Sequence, residues 1–353
     1  MTDDVRIAHH RLVDFIAQIF SAAGNAPDDA RRIAVHLVGS NLAGHESHGV
    51  IRVPLYLDWQ DGGIVVAGQR GRLVKDAGAV VQIDGGYGYG QIVGELAVAE
   101  GMKRARAYGI GLVALKHCAH LGRLGGWAEI AAAEGMASVH FLNSPGKGGI
   151  QVAPFGGRER RLAPNPMAIA VPQLGRHPLL LDITASVVPE GKVKVALNQG
   201  AELPAGAAID AEGRPTRDPR AYYGPPKGAL LPSGGHKGSG LCIMIDLLAG
   251  ALTGGGTSDP RVEGRGNNLL SLYIDSAHLE GRDALELAAR DLSDWVTSAA
   301  PLSPGGEVLA PGDYEARMRA DRLMHGIPLD AETWRQLRDA ATRFKIESPN
   351  FHE

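Results

Sequence analysis

"IGLVALKHCAHLGRLGGWAEIAAAEGMASVHFL", residues 110–142, decides the fold. It opens and closes on short apolar runs, 110–115 and 136–142, that read as buried strands. Between them, the alanine-rich stretch from Leu124 to Glu134 reads as a helix. Strand, helix, strand is the unit of an α/β layer. Upstream, "AVVQID" (79–84) predicts another strand, joined to this unit by a helix over Gln91–Ala107. Downstream, "MAIAVP" (167–172) and "PLLLDI" (178–183) read as strands with no obvious helix between them, and "LLSLYID" (269–275) as one more. Strands without crossover helices predict a mixed sheet. "GHKGSGLCIMIDLLAGALTGG" (235–255) reads as a loop feeding a buried helix.

Helical segments flank this core. Leu12, Phe15, Ile16, Ile19 and Phe20 recur at helical spacing, and Gly24-Asn25 stops the run. Pro27, Asp28 and Asp29 suit the first turn of a second helix reaching about Leu42. The last seventy or so residues look mainly helical, with a Pro/Gly-rich break at 301–315. The expected organisation is an N-terminal helical segment (1–75), a mixed α/β core (76–284) and a C-terminal helical segment (285–353) that packs with the first.

Bulk composition removes several function classes. The 353 residues, 44% hydrophobic and 21% charged with a formal net charge of -3, leave no electrostatic footprint for nucleic acid or an anionic membrane. Cys118 and Cys242 stand far apart, which speaks against a disulfide framework and for a reducing compartment. The N-terminus lacks a cationic segment leading into an apolar run. The most apolar stretch, Gly240–Leu252, is broken by Asp246 and too short to span a bilayer. A cytoplasmic protein without nucleic-acid or membrane partners is expected. Glycine stands out at 48 residues, a sign of turns and of backbone that must approach something closely.

Those glycines do not spell a familiar nucleotide loop. "GGYGYGQIVG" (85–94) follows a strand and precedes a helix, but its third glycine falls one residue late for G-x-G-x-x-G, so it reads as a tight connection. G-x-x-x-x-G-K-[ST] is absent. Any dinucleotide must bind outside the usual Rossmann arrangement.

The ionisable residues cluster instead around "NLAGHESHGVIRVPLY" (41–56) and "KHCAHLGRLGGWAE" (116–129). His45 and His48 are three apart, as are His117 and His120. With Cys118 they would suffice for zinc in a hydrolase or dehydrogenase, although flanking glycines disfavour helices there and no H-E-x-x-H pattern accompanies them. The other reading joins His48, Arg52 and His120. A guanidinium fork matches a carboxylate, Tyr56 or Ser47 adds a hydrogen bond, and an imidazole exchanges protons near neutral pH. That is the equipment for interconverting a 2-hydroxy acid and a 2-oxo acid. In "LLPSGGHKGSG" (230–240), His236 and Lys237 precede an apolar helix, a plausible pyrophosphate seat. A nucleotide-binding protein without catalysis is a third reading, but it has no use for the acid/base ring.

Taken in order, "NLAGHESHGVIRVPLY", "HLGRLGGWAE", "VAPFGGRERRLAPNP", "PLLLDITAS", "GKVKVALNQGAELPAGAAIDAEGRPT" and "PSGGHKGSGL" resemble the blocks of the malate/L-lactate dehydrogenase family. That family is distinct from Rossmann dehydrogenases and includes ureidoglycolate, sulfolactate and Δ1-piperideine-2-carboxylate enzymes. The resemblance covers nearly the whole chain. It implies an NAD-dependent (or NADP-dependent) oxidoreductase of small 2-hydroxy or 2-oxo acids, a homodimer, with a mixed-sheet nucleotide core wrapped by terminal helices and no resident metal. By the same resemblance His120 is the proton acceptor, and Ser47, His48, Arg52 and Tyr56 form the substrate motif, with His48 also near the nicotinamide. Cofactor contacts are implied at Gly122, Arg123 and Leu124; at Asn143 and Ser144; at Leu180, Leu181, Asp182, Ile183 and Thr184; at His236 and Lys237; at Asn267; and at Pro311, Gly312, Asp313 and Tyr314. Two positions depart from the family pattern. Ala163-Pro164-Asn165-Pro166 replaces Gly-Thr-Asn-Pro, losing a hydroxyl, and Ser239 stands where tyrosine is common.

Overall fold

The structure, a computed structural model, describes residues 5–262 and 265–348. A short strand β1 (Val5–Ile7) leads into α1 (His9–Ala22) and α2 (Pro27–Leu42), with Pro27 at the start of α2 and Asp28 and Asp29 in its first turn. After α3 (Val53–Asp61) come β2 (Arg72–Ala77), β3 (Val80–Asp84), α4 (Gly90–Tyr108), β4 (Ile110–Cys118), α5 (Leu124–Ala133) and β5 (Ala137–Asn143). A one-turn helix α6 (Gly146–Gly149) precedes β6 (Met167–Val171), β7 (Leu179–Ile183) and α7 (Glu190–Gln199). Then follow β8 (Ala208–Ile209), β9 (Pro215–Thr216), α8 (Pro219–Tyr223), β10 (Ala229–Leu230), α9 (His236–Ile245) and β11 (Asn267–Ile274). The chain ends in α10 (Arg282–Thr297), α11 (Asp313–His325), β12 (Ile327–Leu329) and α12 (Ala331–Arg343).

The main sheet has seven strands in the order β2-β3-β4-β11-β5-β6-β7. Only β3 and β4 pair in parallel; every other neighbouring pair in this sheet is antiparallel. β11 inserts between β4 and β5, so the strand–helix–strand unit of 110–142 straddles a strand from far downstream. Alternate residues of β3 and β4 are buried, whereas β11, in the middle of the sheet, is buried along most of its length. Val81, Ile83, Val113, Leu115 and Tyr273 meet Trp127, Ala128 and Ala131 of α5 in one apolar core. A second core joins the two ends of the chain: Phe15, Ile16 and Phe20 of α1 and Ile33 and Leu37 of α2 pack with Ile327, Trp334 and Leu337.

Several elements lie outside the sequence expectations. β1 and β12, three residues each, pair antiparallel and tie the two ends of the chain together. β2 is an exposed, polar edge strand and runs across the boundary expected at 75/76. A second sheet, β10-β8-β9, has its own small core around Val152, Val193, Leu203, Tyr222 and Leu230. Finally, α9 begins at His236 itself, so His236 and Lys237 sit in its first turn rather than in a loop. It continues as a π-helical turn over Asp246–Ala251. The expected buried helix is buried on one side only, since Ile243, Met244, Leu247 and Leu252 are exposed.

One irregularity positions the site. The β4–β11 register shifts between Asn267 and Leu269, where Lys116 and His117 of β4 face Asn268 alone; within this bulge His117 adopts a positive φ of 54°, with its N–H donating to the Asn268 side-chain oxygen at 3.0 Å. Bulges re-aim the end of a strand; here the chain leaves β4 toward α2 and α3 and carries His120 with it.

Candidate active site

The stretch 41–56 is not one helix. α2 ends at Leu42, and two 3-10 turns, Glu46–His48 and Val50–Arg52, lead into α3. Gly49 permits this: a Cβ there would lie 2.2 Å from Asn41 Oδ1, the oxygen that accepts the Val50 N–H at 2.8 Å. The turns separate the residues that a helix would align. His45 Nε2 meets Glu315 Oε1 at 2.9 Å, whereas His48 Nδ1 lies 3.1 Å from Ser47 Oγ. Arg52 donates from Nε to the Ser47 carbonyl at 2.6 Å, and its Nη2 reaches to 3.9 Å from Glu190 Oε2. Gly191 keeps this approach open, because a Cβ there would lie 2.6 Å from Ser47 Cβ and 2.8 Å from Arg52 Nη2.

Tyr56, buried on α3, brings its hydroxyl to 2.6 Å from His120 Nδ1. The His120 and His48 rings stack, with centroids 5.5 Å apart and planes 13° from parallel. Burial, then the positive charge of Arg52, pushes the His120 pKa down to about 3. His48 is held well below the usual imidazole range by burial, then by His120 and Arg52. Burial raises Tyr56. At neutral pH the site therefore holds two neutral imidazoles, a protonated phenol and one guanidinium. An open cavity of about 550 Å³ adjoins it, lined in part by Glu190, Tyr223, Lys147 and Arg160.

The segments expected to meet the cofactor touch one another in series. The Leu121 N–H donates to Asn267 Oδ1 at 2.9 Å, and Asn267 Nδ2 donates to Ser144 Oγ at 2.9 Å. Asn143 is drawn into the protein behind them, donating to Asp246 Oδ1 at 3.0 Å. The turn Gly122–Leu124 meets β7 through Asp182, whose Oδ2 accepts the Gly125 N–H at 2.8 Å and lies 3.7 Å from Arg123 Nε. Arg123, buried, forks onto Glu129 at 3.1 and 2.9 Å. The Leu180 N–H donates to the Pro311 carbonyl at 3.0 Å, and Gly312 lies so close that a Cβ would stand 2.7 Å from the Pro178 carbonyl. Asp313 is engaged by the Ala310 N–H and His177, while Tyr314 and Ile183 are exposed. Leu181 is partly buried, and Thr184 Oγ1 donates to the Pro164 carbonyl at 3.1 Å. Beyond Thr184, the Ser233 N–H donates to the Ala185 carbonyl at 2.9 Å. That seats the start of α9, with exposed His236 and Lys237, beside the end of β7.

The two histidine pairs weighed for zinc diverge. His45 turns to Glu315, and His117 faces Asp84 at 3.4 Å and stacks on Tyr87. Cys118 is fully buried. Among the described residues no three His, Cys, Asp or Glu side chains gather where a metal could be held. Of the two family departures, Ser239 accepts the Phe155 N–H on Oγ at 3.1 Å, and the Pro164 carbonyl serves both Thr184 and Ala185.

Sequence reasoning missed three members of the site. Gln91 donates to Tyr56 and to the His120 carbonyl. His36, stacked on Trp127 at 4.6 Å, abuts the Gly122 turn and is pushed down to about 4 by burial, then by Arg123. Glu190 bridges Arg52 and the Tyr223 hydroxyl. Gln91 stood in the quoted glycine run; the other two carried no local signal.

Segments distant in the chain thus bring together two stacked imidazoles, a buried phenol and a guanidinium. The chain belongs to the malate/L-lactate dehydrogenase family, whose model matches residues 7–338. It is 37% identical over 335 residues to hydroxycarboxylate dehydrogenase B of Escherichia coli K12, covering 94% of this chain and 92% of that one. It is also 37% identical over 344 residues to an L-lactate dehydrogenase of Cupriavidus necator, covering 95% and 97%. The solved structure of malate dehydrogenase from Pyrococcus horikoshii OT3 superposes with a TM-score of 0.88 at 30% identity, covering 99% of each chain. No helix among the described residues is long and apolar enough to cross a membrane.

Proposed function

We propose that this chain is a nicotinamide-dinucleotide-dependent oxidoreductase that interconverts 2-hydroxy acids and 2-oxo acids in the cytoplasm, as a homodimer, using NAD or NADP. The observation that carries this reading is His120, held at Nδ1 by Tyr56, stacked on His48 and within the field of Arg52. Arg52 is tethered at Nε to the Ser47 carbonyl and its Nη2 lies 3.9 Å from Glu190, so that its terminal nitrogens hold a substrate carboxylate in competition with that side chain. His120 exchanges a proton with the C2 oxygen. Ser47 orients His48, which stacks on the His120 ring.

The cofactor supplies or accepts hydride when bound. The residues that would hold it are those of the linked segments: Gly122–Leu124, Ser144, Leu180–Thr184, His236, Lys237, Asn267 and Pro311–Tyr314. Their fit is supported by their contiguity and by the ten-residue helix α9, whose first turn presents an exposed lysine to an anion. A sheet with a single parallel pair supports binding outside the Rossmann arrangement. For the homodimer, the supporting observation is the exposed apolar row Ile243, Met244, Leu247 and Leu252. Both cysteines are free thiols, which suits a reducing compartment.

The test is a panel of 2-oxo acids against NADH and NADPH, read at the nicotinamide absorbance. Turnover is expected with at least one pair. His120→Ala should lower kcat roughly 10²–10⁴-fold while cofactor still binds by fluorescence titration. A His120→Ala enzyme with unchanged kcat overturns the assignment. Sedimentation of the wild type against Met244→Glu/Leu247→Glu, which should become monomeric, tests the dimer.

A further inference from the structure

Gln91, the second residue of α4, is buried, and its Nε2 lies 3.2 Å from the Tyr56 hydroxyl and 3.3 Å from the His120 carbonyl. A carbonyl oxygen only accepts, so the amide must turn its NH2 toward His120, and the same NH2 then faces Tyr56. The consequence of this orientation is visible: Gln91 Oε1 is buried with no partner, a cost of about 1–3 kcal/mol that the opposite rotamer would exchange for a carboxamide oxygen facing the His120 carbonyl. With its oxygen accepting from Gln91, Tyr56 has one proton to give, and His120 Nδ1 stands 2.6 Å away to take it.

We propose that Gln91 is a positioning residue which, through Tyr56, fixes His120 as the tautomer protonated on Nε2, so that the resting enzyme presents an N–H to the substrate oxygen. The proposal rests on the reading of His120 as the acid/base group. Its chemical consequence is a donor set for the 2-oxo acid. As hydride reaches C2, the carbonyl electron pair moves onto oxygen, and oxygen takes the proton from Nε2. The ring is refilled at Nδ1 from the Tyr56 hydroxyl, leaving a phenolate that the Gln91 N–H faces. Once the alcohol departs, water gives a proton to Nε2 and the Nδ1 proton returns to Tyr56, so one solvent proton is consumed per turnover. The depressed basicity of His120 agrees with this: a ring that stays neutral can act as an acid only if its other nitrogen is resupplied.

The direct readout is the tautomer, by long-range 1H–15N correlation on protein labelled at histidine, with His120 assigned from the spectrum lost in His120→Asn. Wild type is expected as the Nε2–H form. In Gln91→Glu the carboxylate accepts from Tyr56, turning its proton away, and His120 should switch to Nδ1–H. Gln91→Met, of similar volume, should leave a mixture of both forms. In kinetics, Gln91→Glu should lower kcat for 2-oxo acid reduction at least tenfold with little change in KM. In a Tyr56→Phe background it should cause no further loss, because Gln91 acts through that hydroxyl. An Nδ1–H ring in the wild type, an unaltered tautomer in Gln91→Glu, or additive losses in the Tyr56→Phe background would each overturn the proposal. An Nε2–H ring in a protein that reduces no 2-oxo acid would uphold the positioning role and overturn the functional reading instead.

Discussion

His48 and His120 lie face to face, centroids 5.5 Å apart and 13° from parallel; burial, above all, holds both rings below the usual imidazole range, and the His120 ring adds to the effect on His48. Two imidazolium rings at that separation would repel, and Arg52 adds a third positive charge nearby. Both rings therefore stay neutral well below the pH at which a free histidine, with a pKa of about 6.5, takes up its proton. The expected outcome is a kcat/KM for 2-oxo acid reduction that is flat from about pH 8 down to about pH 5 in the free enzyme. Initial rates checked for recovery at neutral pH measure this. A one-proton step near 6.5 would show that the rings titrate as free imidazoles do.

Arg52 is held by its Nε to the Ser47 carbonyl at 2.6 Å, and a lysine has no second nitrogen with which to keep that tether and still reach a carboxylate. Arg52→Lys should therefore behave almost as badly as Arg52→Ala. Both should lose roughly 30–300-fold in kcat/KM, about 2–3.5 kcal/mol, mostly through KM. Steady-state kinetics with the preferred 2-oxo acid decide it; a lysine variant within a few-fold of wild type would mean that charge alone suffices.

Gly90 starts α4 where a Cβ would stand 2.2 Å from the His120 carbonyl and 2.6 Å from Leu121 Cα. Those are backbone atoms and cannot rotate aside. Gly90→Ala should push His120 away from Tyr56, lowering kcat and destabilising the fold by about 1–3 kcal/mol. Gly240→Ala is the control: nothing lies within 4 Å of its Cβ position, and alanine favours a helix. Paired thermal melts and kinetics check both, and equal behaviour of the two variants would contradict the steric account.

Part of this architecture is legible in the sequence. Short continuous apolar runs announced β3, β4, β5, β6, β7 and β11, because a strand covered within a sheet carries its apolar residues in one local stretch. β2, polar on an exposed edge, and the three-residue pairing of β1 with β12 left no such trace. The histidines and Arg52 stood out as ionisable groups among glycines. What brought them together did not: Tyr56 meets His120 just beyond a β4 bulge opposite Asn268. Gln91 was present in a run read only as a connection. Its role depends on a carbonyl contributed by residue 120, and glutamine beside glycine carries no periodic or chemical signature of that contact.

Acid should destabilise the protein through its buried rings, and His140 isolates the effect. It is fully buried, with Nδ1 2.8 Å from Ser271 Oγ and Nε2 3.0 Å from Ser138 Oγ, and burial pushes its pKa down to about 3. In the unfolded chain the same ring has a pKa of about 6.5. Above that value both states are neutral and pH has no leverage through this residue. As pH falls below it, the unfolded chain binds a proton that the native state refuses, so stability is lost progressively until about pH 3. The slope approaches about 1.4 kcal/mol per pH unit for each such ring. Carboxylates titrate in the same range, so the informative quantity is a difference: wild type against His140→Asn in thermal melts from pH 7 to pH 4. Asparagine keeps a donor and an acceptor between the two serines but binds no proton. The variant's melting temperature should fall less steeply with acid, the gap closing or reversing as pH drops. A constant offset across the range would mean that His140 is already as basic in the fold as it is outside it.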